Sequence, residues 1–207
     1  MTDGAIDSLD VAKTTGTVIA TTSDKEIKIL DANGALSESL AIEERVSLAK
    51  FAPNSDSIVI LVFAAAAQSS EDNVVKAQVW DIKSKQKVYE IKAGSQEEEG
   101  STKITDISFT PLSGHVAVSF SDQSWSLHDY TNGVKVLELR ESAKVTSLRI
   151  HPDGLIMAIG LSNGKINVYD IRDMKLAKEL ESPSEETAVS KLEFSNKGIF
   201  LAAAWAD

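Results

Sequence analysis

An all-β fold is what this sequence predicts, and three observations predict it. Apolar residues recur with period two, as in Ile27-Lys28-Ile29-Leu30, Val88-Tyr89-Glu90-Ile91, Val116-Ala117-Val118-Ser119-Phe120 and Ile166-Asn167-Val168-Tyr169. Between these runs stand Asn33-Gly34, Asn132-Gly133, Asp153-Gly154 and Asn163-Gly164, dipeptides that tolerate the positive φ of a tight hairpin. No segment keeps helical spacing for more than about two turns before a Gly, Pro or β-branched cluster interrupts it.

Taken in order, the strands recur as a set. An apolar strand ending in Asp occurs four times: Lys28-Ile29-Leu30-Asp31, Gln78-Val79-Trp80-Asp81, Ser126-Leu127-His128-Asp129 and Asn167-Val168-Tyr169-Asp170, with gaps of 50, 48 and 41 residues. A second marker runs in step with it, through Phe51-Ala52-Pro53, Phe109-Thr110-Pro111, Ile150-His151-Pro152 and Phe194-Ser195-Asn196, spaced 58, 41 and 44 residues apart. Each marker leads into a strand, a turn, a small and apolar strand, a polar turn and then the strand that ends in Asp. A fourth strand follows each time, as at residues 87–91, 134–139 and 176–180. Four strands in roughly 40–45 residues is the pattern of a propeller blade. The blades are expected to end near residues 36, 91, 139 and 180, with a partial blade over 189–207. A seven-bladed ring on these periods needs about 300 residues, so residues 1–207 are expected to form a partial propeller of about four and a half blades.

These residues resemble the WD-repeat β-propeller family. Trp80-Asp81 is the signature dipeptide, and Leu30-Asp31, His128-Asp129 and Tyr169-Asp170 are degenerate versions of it. The Gly-His that opens such repeats is missing from every copy, so the hydrogen-bonding tetrad built around that His is incomplete. Asp24, Asp122 and Asn163 stand in the turn between second and third strands, where a short side chain accepts backbone N–H bonds. Together with Asp31, Trp80, Asp81, Asp129 and Asp170 they read as structural. Within the WD-repeat family, Asp122-Gln123-Ser124-Trp125, Asn132-Gly133-Val134-Lys135, His151-Pro152-Asp153-Gly154 and the run from Phe194 to Ala204 are similar to successive blades of the family of pre-mRNA-processing factor nineteen. That resemblance implies a nuclear scaffold of a spliceosome-activating ubiquitin-ligase complex, whose U-box and tetramerising coiled coil lie outside the part matched here. It implies protein partners: splicing-complex subunits and substrates of the ligase. It also implies no catalysis by this chain. A generic WD-repeat adaptor unrelated to splicing is the nearer alternative, and a propeller enzyme the farther one.

Composition narrows the classes. The 207 residues carry 31 acidic and 21 basic side chains, a formal net charge of -10, with 43% apolar residues and no Cys. Absent cysteines exclude disulfides and Cys-ligated metals and suit a reducing compartment. The acidic balance argues against a phosphate-binding surface, so no direct nucleic-acid partner is expected. The longest apolar run, residues 58–67, falls short of the ~18 or more that a membrane span needs. His115, His128 and His151 share no ligand spacing, and no phosphate-cradling glycine motif occurs, so neither cofactor nor metal is expected. The first strands offer mainly small hydroxyls and aliphatics, read here as packing or hydrated.

Candidate partner-binding residues are Glu97, Glu98, Glu99 and Trp125. The Glu97 run joins Glu43-Glu44 and Glu185-Glu186 in inter-blade connections that emerge on one propeller face. That face would be acidic and suited to a basic protein patch; keeping a β-rich chain soluble is the competing role for the same residues. Trp125 follows the Asp122 turn, which allows a position at the rim or one in the core.

Overall fold

The computed structural model describes residues 4–53, 55–63, 76–92, 102–111, 114–182 and 187–206. Among the described residues there are eighteen strands and no helix. They form four antiparallel sheets of four strands and one of two, each ordered as in the sequence. The chain is a β-propeller of the WD-repeat kind. It divides into two compact units, residues 1–102 and 103–207.

In the first unit, blade one comprises β1 (Ile6–Val11), β2 (Val18–Thr22), β3 (Glu26–Leu30) and β4 (Leu36–Ala41). Blade two comprises β5 (Val46–Phe51), β6 (Ile58–Phe63), β7 (Lys76–Asp81) and β8 (Gln86–Lys92). In the second unit, β9 (Ile104–Phe109), β10 (His115–Phe120), β11 (Ser124–Asp129) and β12 (Val134–Arg140) form blade three. Blade four is β13 (Val145–Ile150), β14 (Ile156–Leu161), β15 (Ile166–Asp170) and β16 (Lys175–Leu180). Strands β17 (Val189–Phe194) and β18 (Leu201–Trp205) form the fifth sheet. The first sheet therefore runs to Ala41 rather than ending near residue 36. Residues 36–41 alternate Leu, Glu and Leu with Ser and Ala on an exposed outer edge, a pattern that resembles a solvated connection when read locally.

Burial within a blade follows strand rank. The second strands are buried on both faces, so residues 59–63, 116–120 and 157–161 read as nearly unbroken apolar runs. The fourth strands are mostly exposed and carry Lys and Glu. Cores form between consecutive blades. In the first unit Ile19, Ile27 and Ile29 meet Val46, Ala49, Phe51, Leu61 and Phe63. In the second, Trp125 and Leu127 of blade three meet Leu148, Met157, Ile159 and Leu161 of blade four, while Ile166 meets Val189 and Leu192 of the fifth sheet.

Every first strand carries a β-bulge against its second strand, with Asp7, Ser47, Thr105, Thr146 and Ser190 as the extra residue. Four of the five reach the second strand through their hydroxyls, and Asp7 instead reaches the connection to blade two. Ser47, Thr146 and Ser190 hydroxyls donate to the carbonyls of Val62, Gly160 and Ala204 at 3.1, 3.0 and 3.1 Å. Thr105 shares a 2.8 Å bond with Ser119, and Asp7 takes a bidentate Arg45 at 2.6 and 2.9 Å. The small hydroxyls expected merely to pack or hydrate therefore set strand geometry. Each fourth strand carries a second bulge, at Ser37, Val88, Val136 and Ala177.

Candidate functional site

Asp residues head the turns that leave the third strands. Asp31 accepts the N–H groups of Asn33 and Ala35 at 2.9 Å each, and Asp81 accepts that of Lys83 at 3.0 Å. Asp129 takes Thr131 at 2.9 Å and Asp170 takes Arg172 at 3.0 Å. All four are Asx turns, in which the carboxylate completes a backbone turn two residues on. The Arg172 guanidinium also lies on Asp170 and holds its carboxyl at about 2. In the turn between second and third strands, Asp122 accepts the N–H and O–H of Ser124 at 3.0 and 2.6 Å. Asn163 accepts the N–H of Lys165 at 3.3 Å, and Asp24 accepts the Thr22 hydroxyl. Trp80 is half-buried against the blade one and two core, its Nε1–H donated to Gln78 at 2.9 Å.

Trp125 is not a surface anchor. It is 0% exposed at the interface of blades three and four, and its Nε1–H donates to Glu141 at 2.9 Å. Partner-binding by this side chain is thereby corrected, because five consecutive residues of β11 are buried and no exposed face is left for the indole. Glu141 stands in the connection from blade three to blade four, where the sequence showed only the loss of the family's Gly-His. It is itself 7% exposed. Besides Trp125 it accepts Asn167 Nδ2 at 2.8 Å and the Tyr169 hydroxyl at 2.9 Å. Three donors from two blades thus compensate one buried carboxylate, the condition for burying such a group. Burial first, and the neighbouring Glu141 second, raise the Tyr169 phenol above its ordinary value. Sequence reading missed this hub because the donors stand 16, 26 and 28 residues from Glu141.

The inner strands hold a second polar system. Ser8 and Asp10 of β1 accept the N–H groups of Ala49 and Phe51 in β5 at 3.3 and 2.8 Å. Asp106 and Ser108 of β9 accept those of Leu148 and Ile150 in β13 at 3.0 Å each. Ser147 in turn accepts that of Leu192 in β17 at 3.1 Å. Side chains at two alternate first-strand positions, Ser8, Asp106 and Ser147 at one and Asp10 and Ser108 at the other, thus bond the backbone of the following blade. A period of 41 to 45 residues in the sequence carries this signal, given a partner position to look for.

The histidines are spread over separate environments. His128 is buried, its Nε2 lies 2.7 Å from Ser126 Oγ, and burial pushes its pKa down to about 4. A Ser–His pair sealed in this way meets no substrate. His151 lies 2.9 Å from the Gly198 carbonyl through Nε2 and packs edge-on to Phe194. Among the described residues no group of three or more His, Asp and Glu is placed to hold a metal ion. Of the acidic runs, Glu97, Glu98, Glu99, Glu185 and Glu186 lie outside the described residues. In the first unit Glu44 is paired with Lys76 at 2.5 Å, and in the second Asp122 faces Arg140 at 3.5 Å.

Within each unit, sheets stacked through their first strands, with each third strand closed by an Asp-headed turn, define a WD-repeat β-propeller in which polar residues lock consecutive blades together. A sequence model of the family described as Nucleolar protein 10-like, N-terminal domain, matches residues 7–206, and the chain belongs to that family. Its curated relatives include pre-mRNA-processing factor 19 of Dictyostelium discoideum, 32% identical over 103 residues, which are 49% of this chain and 20% of that protein. The homolog 2 of that factor in Arabidopsis thaliana is 28% identical over 111 residues, 52% of this chain and 21% of the relative. The factor of Bos taurus is 22% identical over 164 residues, 77% of this chain and 29% of the relative. The chain thus spans between a fifth and a third of the length of these curated relatives.

Proposed function

We propose that this chain is a non-catalytic interaction scaffold, the propeller portion of a spliceosome-associated ubiquitin-ligase assembly acting in the nucleus. The observation that carries the reading is the similarity to pre-mRNA-processing factor 19 in several organisms, reaching 32% identity over 103 residues. The placement of polar groups supports it. Glu141, Asp106, Ser147 and the turn aspartates are all engaged in holding blades, which leaves strand ends and loops to meet partners. Ligase chemistry would reside in a U-box outside the matched region, and tetramerisation in a coiled coil. The formal charge of -10 favours basic protein patches over nucleic-acid phosphate, with Glu97, Glu98 and Glu99 as contact residues.

The test is co-purification of the tagged chain from nuclear extract, probed for splicing-complex subunits. Their recovery is expected, and conversion of Glu97, Glu98 and Glu99 to Lys should slow association and weaken its salt dependence. Recovery of nucleolar proteins without splicing subunits would move the assignment to a second reading. The match of residues 7–206 to the nucleolar family favours that one: an adaptor unrelated to splicing.

A further inference from the structure

Asp106 on β9 is 9% exposed, and its Oδ2 takes three donors from the inner strand of the next blade. They are the Ser147 hydroxyl at 3.1 Å, the Leu148 N–H at 3.0 Å and Arg149 Nη1 at 2.7 Å. Its Oδ1 accepts the N–H of Ile107 at 2.9 Å. Ser147 is 0% exposed. With its single proton committed to Asp106, its oxygen faces β17 and accepts the Leu192 N–H at 3.1 Å. A second arm runs from Asp106 through Arg149, whose Nε donates to Glu193 of β17 at 3.2 Å. Two side chains of β13 therefore connect one carboxylate on blade three to the backbone and side chain of blade five.

A hydroxyl has one proton to give. An ionised acceptor fixes its direction and polarises the oxygen behind it. Replacing Asp106 by a group that does not hold the Ser147 proton lets that hydroxyl turn, and the Leu192 N–H loses an aligned acceptor in a site closed to water. The equivalent first-strand positions in the other blades are Ser8, Leu48, Ser147 and Lys191. Asp106 is the one carboxylate in the series.

We propose that Asp106 heads a hydrogen-bond relay through Ser147 that couples blade three to the fifth sheet, so that the inner strands of blades three to five open together. Residue-resolved amide hydrogen exchange on the full chain tests it. Asp106→Asn is expected to speed exchange roughly ten-fold at both Leu148 and Leu192, relative to reference amides at Val118 and Ile159. Ser147→Ala is expected to speed Leu192 by a similar factor while Leu148 stays protected by Asp106. Glu193→Gln is expected to leave both amides unchanged. An unchanged Leu192 in Asp106→Asn beside a faster Leu148 would overturn the relay, because coupling would end at blade four. Uniform acceleration including Val118 and Ile159 would overturn it as well, as general loosening. If Asp106→Asn does not fold, the Ser147→Ala pattern decides the second link: equal acceleration at Leu148 and Leu192 rejects it.

Discussion

Glu141 and Trp125 show how a family's usual lock can be rebuilt from other chemistry. A carboxylate carries four lone-pair sites and no donor, so three neutral donors can converge on it where a His could serve fewer. Removing it leaves the Trp125 indole N–H, the Asn167 amide and the Tyr169 hydroxyl buried without an acceptor. Glu141→Ala is therefore expected to destabilise the second unit by about 3 kcal/mol or more, and Glu141→Gln by about half that, since one carbonyl oxygen remains. Urea unfolding followed by tryptophan emission checks both, and equal losses in the two variants would contradict the hub. His128 supplies a pH-dependent counterpart. Its folded pKa of about 4 lies below its ordinary value of 6.5, so between those values the unfolded chain binds the extra proton. Its contribution, on the order of 3 kcal/mol, is full above pH 6.5 and is lost as pH falls towards 4. His128→Gln should flatten the stability profile across that window, measured as the difference from the parent chain.

At the scale of strands, close approach between blades decides what each position tolerates. Gly160 on β14 faces β17 so closely that a Cβ there would stand 2.5 Å from Val189 Cγ1 and 2.9 Å from its Cβ. Both atoms are near their own backbone and have little freedom to move. Gly160→Ala is expected to cost about 1–3 kcal/mol by overpacking, read as a lowered melting temperature. A companion Val189→Ala should recover most of it. The same scale explains what the sequence made legible. Second strands announced themselves as the small and apolar strand between two turns, and turn aspartates announced themselves by position, because both signals are local. Strand β4 escaped because Leu36 is exposed and Leu40 only half-buried, so the run looks like a solvated loop when read locally. Trp125 was ambiguous for a related reason: an indole beside a polar turn points outward or inward according to the blade it meets, and the blade is 20 residues further on.

Across the whole molecule, the candidate site was legible in its parts and illegible in its assembly. The hydroxyls of the first strands were visible as a composition. Their work, bracing a bulge with one residue and catching the next blade's backbone with its neighbour, requires knowing which N–H stands 41 to 45 residues away. Glu141 likewise gains meaning only from two partners on β15 and one on β11. A repeat protein makes this kind of non-local bond recur at nearly constant separation, so one solved interface reads out the others.

The bulges in the fourth strands carry a consequence for recognition. Ser37, Val88, Val136 and Ala177 interrupt the outermost strand of every four-stranded sheet at the same place. An incoming strand laid along such an edge would find its rungs in phase for no more than four residues before the ladder steps sideways. The periphery therefore resists zippering, whether by a misfolded neighbour or by a strand-donating ligand. Binders approaching from outside must grip side chains rather than backbone, which ties their selectivity to the mixed apolar and charged residues that β8, β12 and β16 display there.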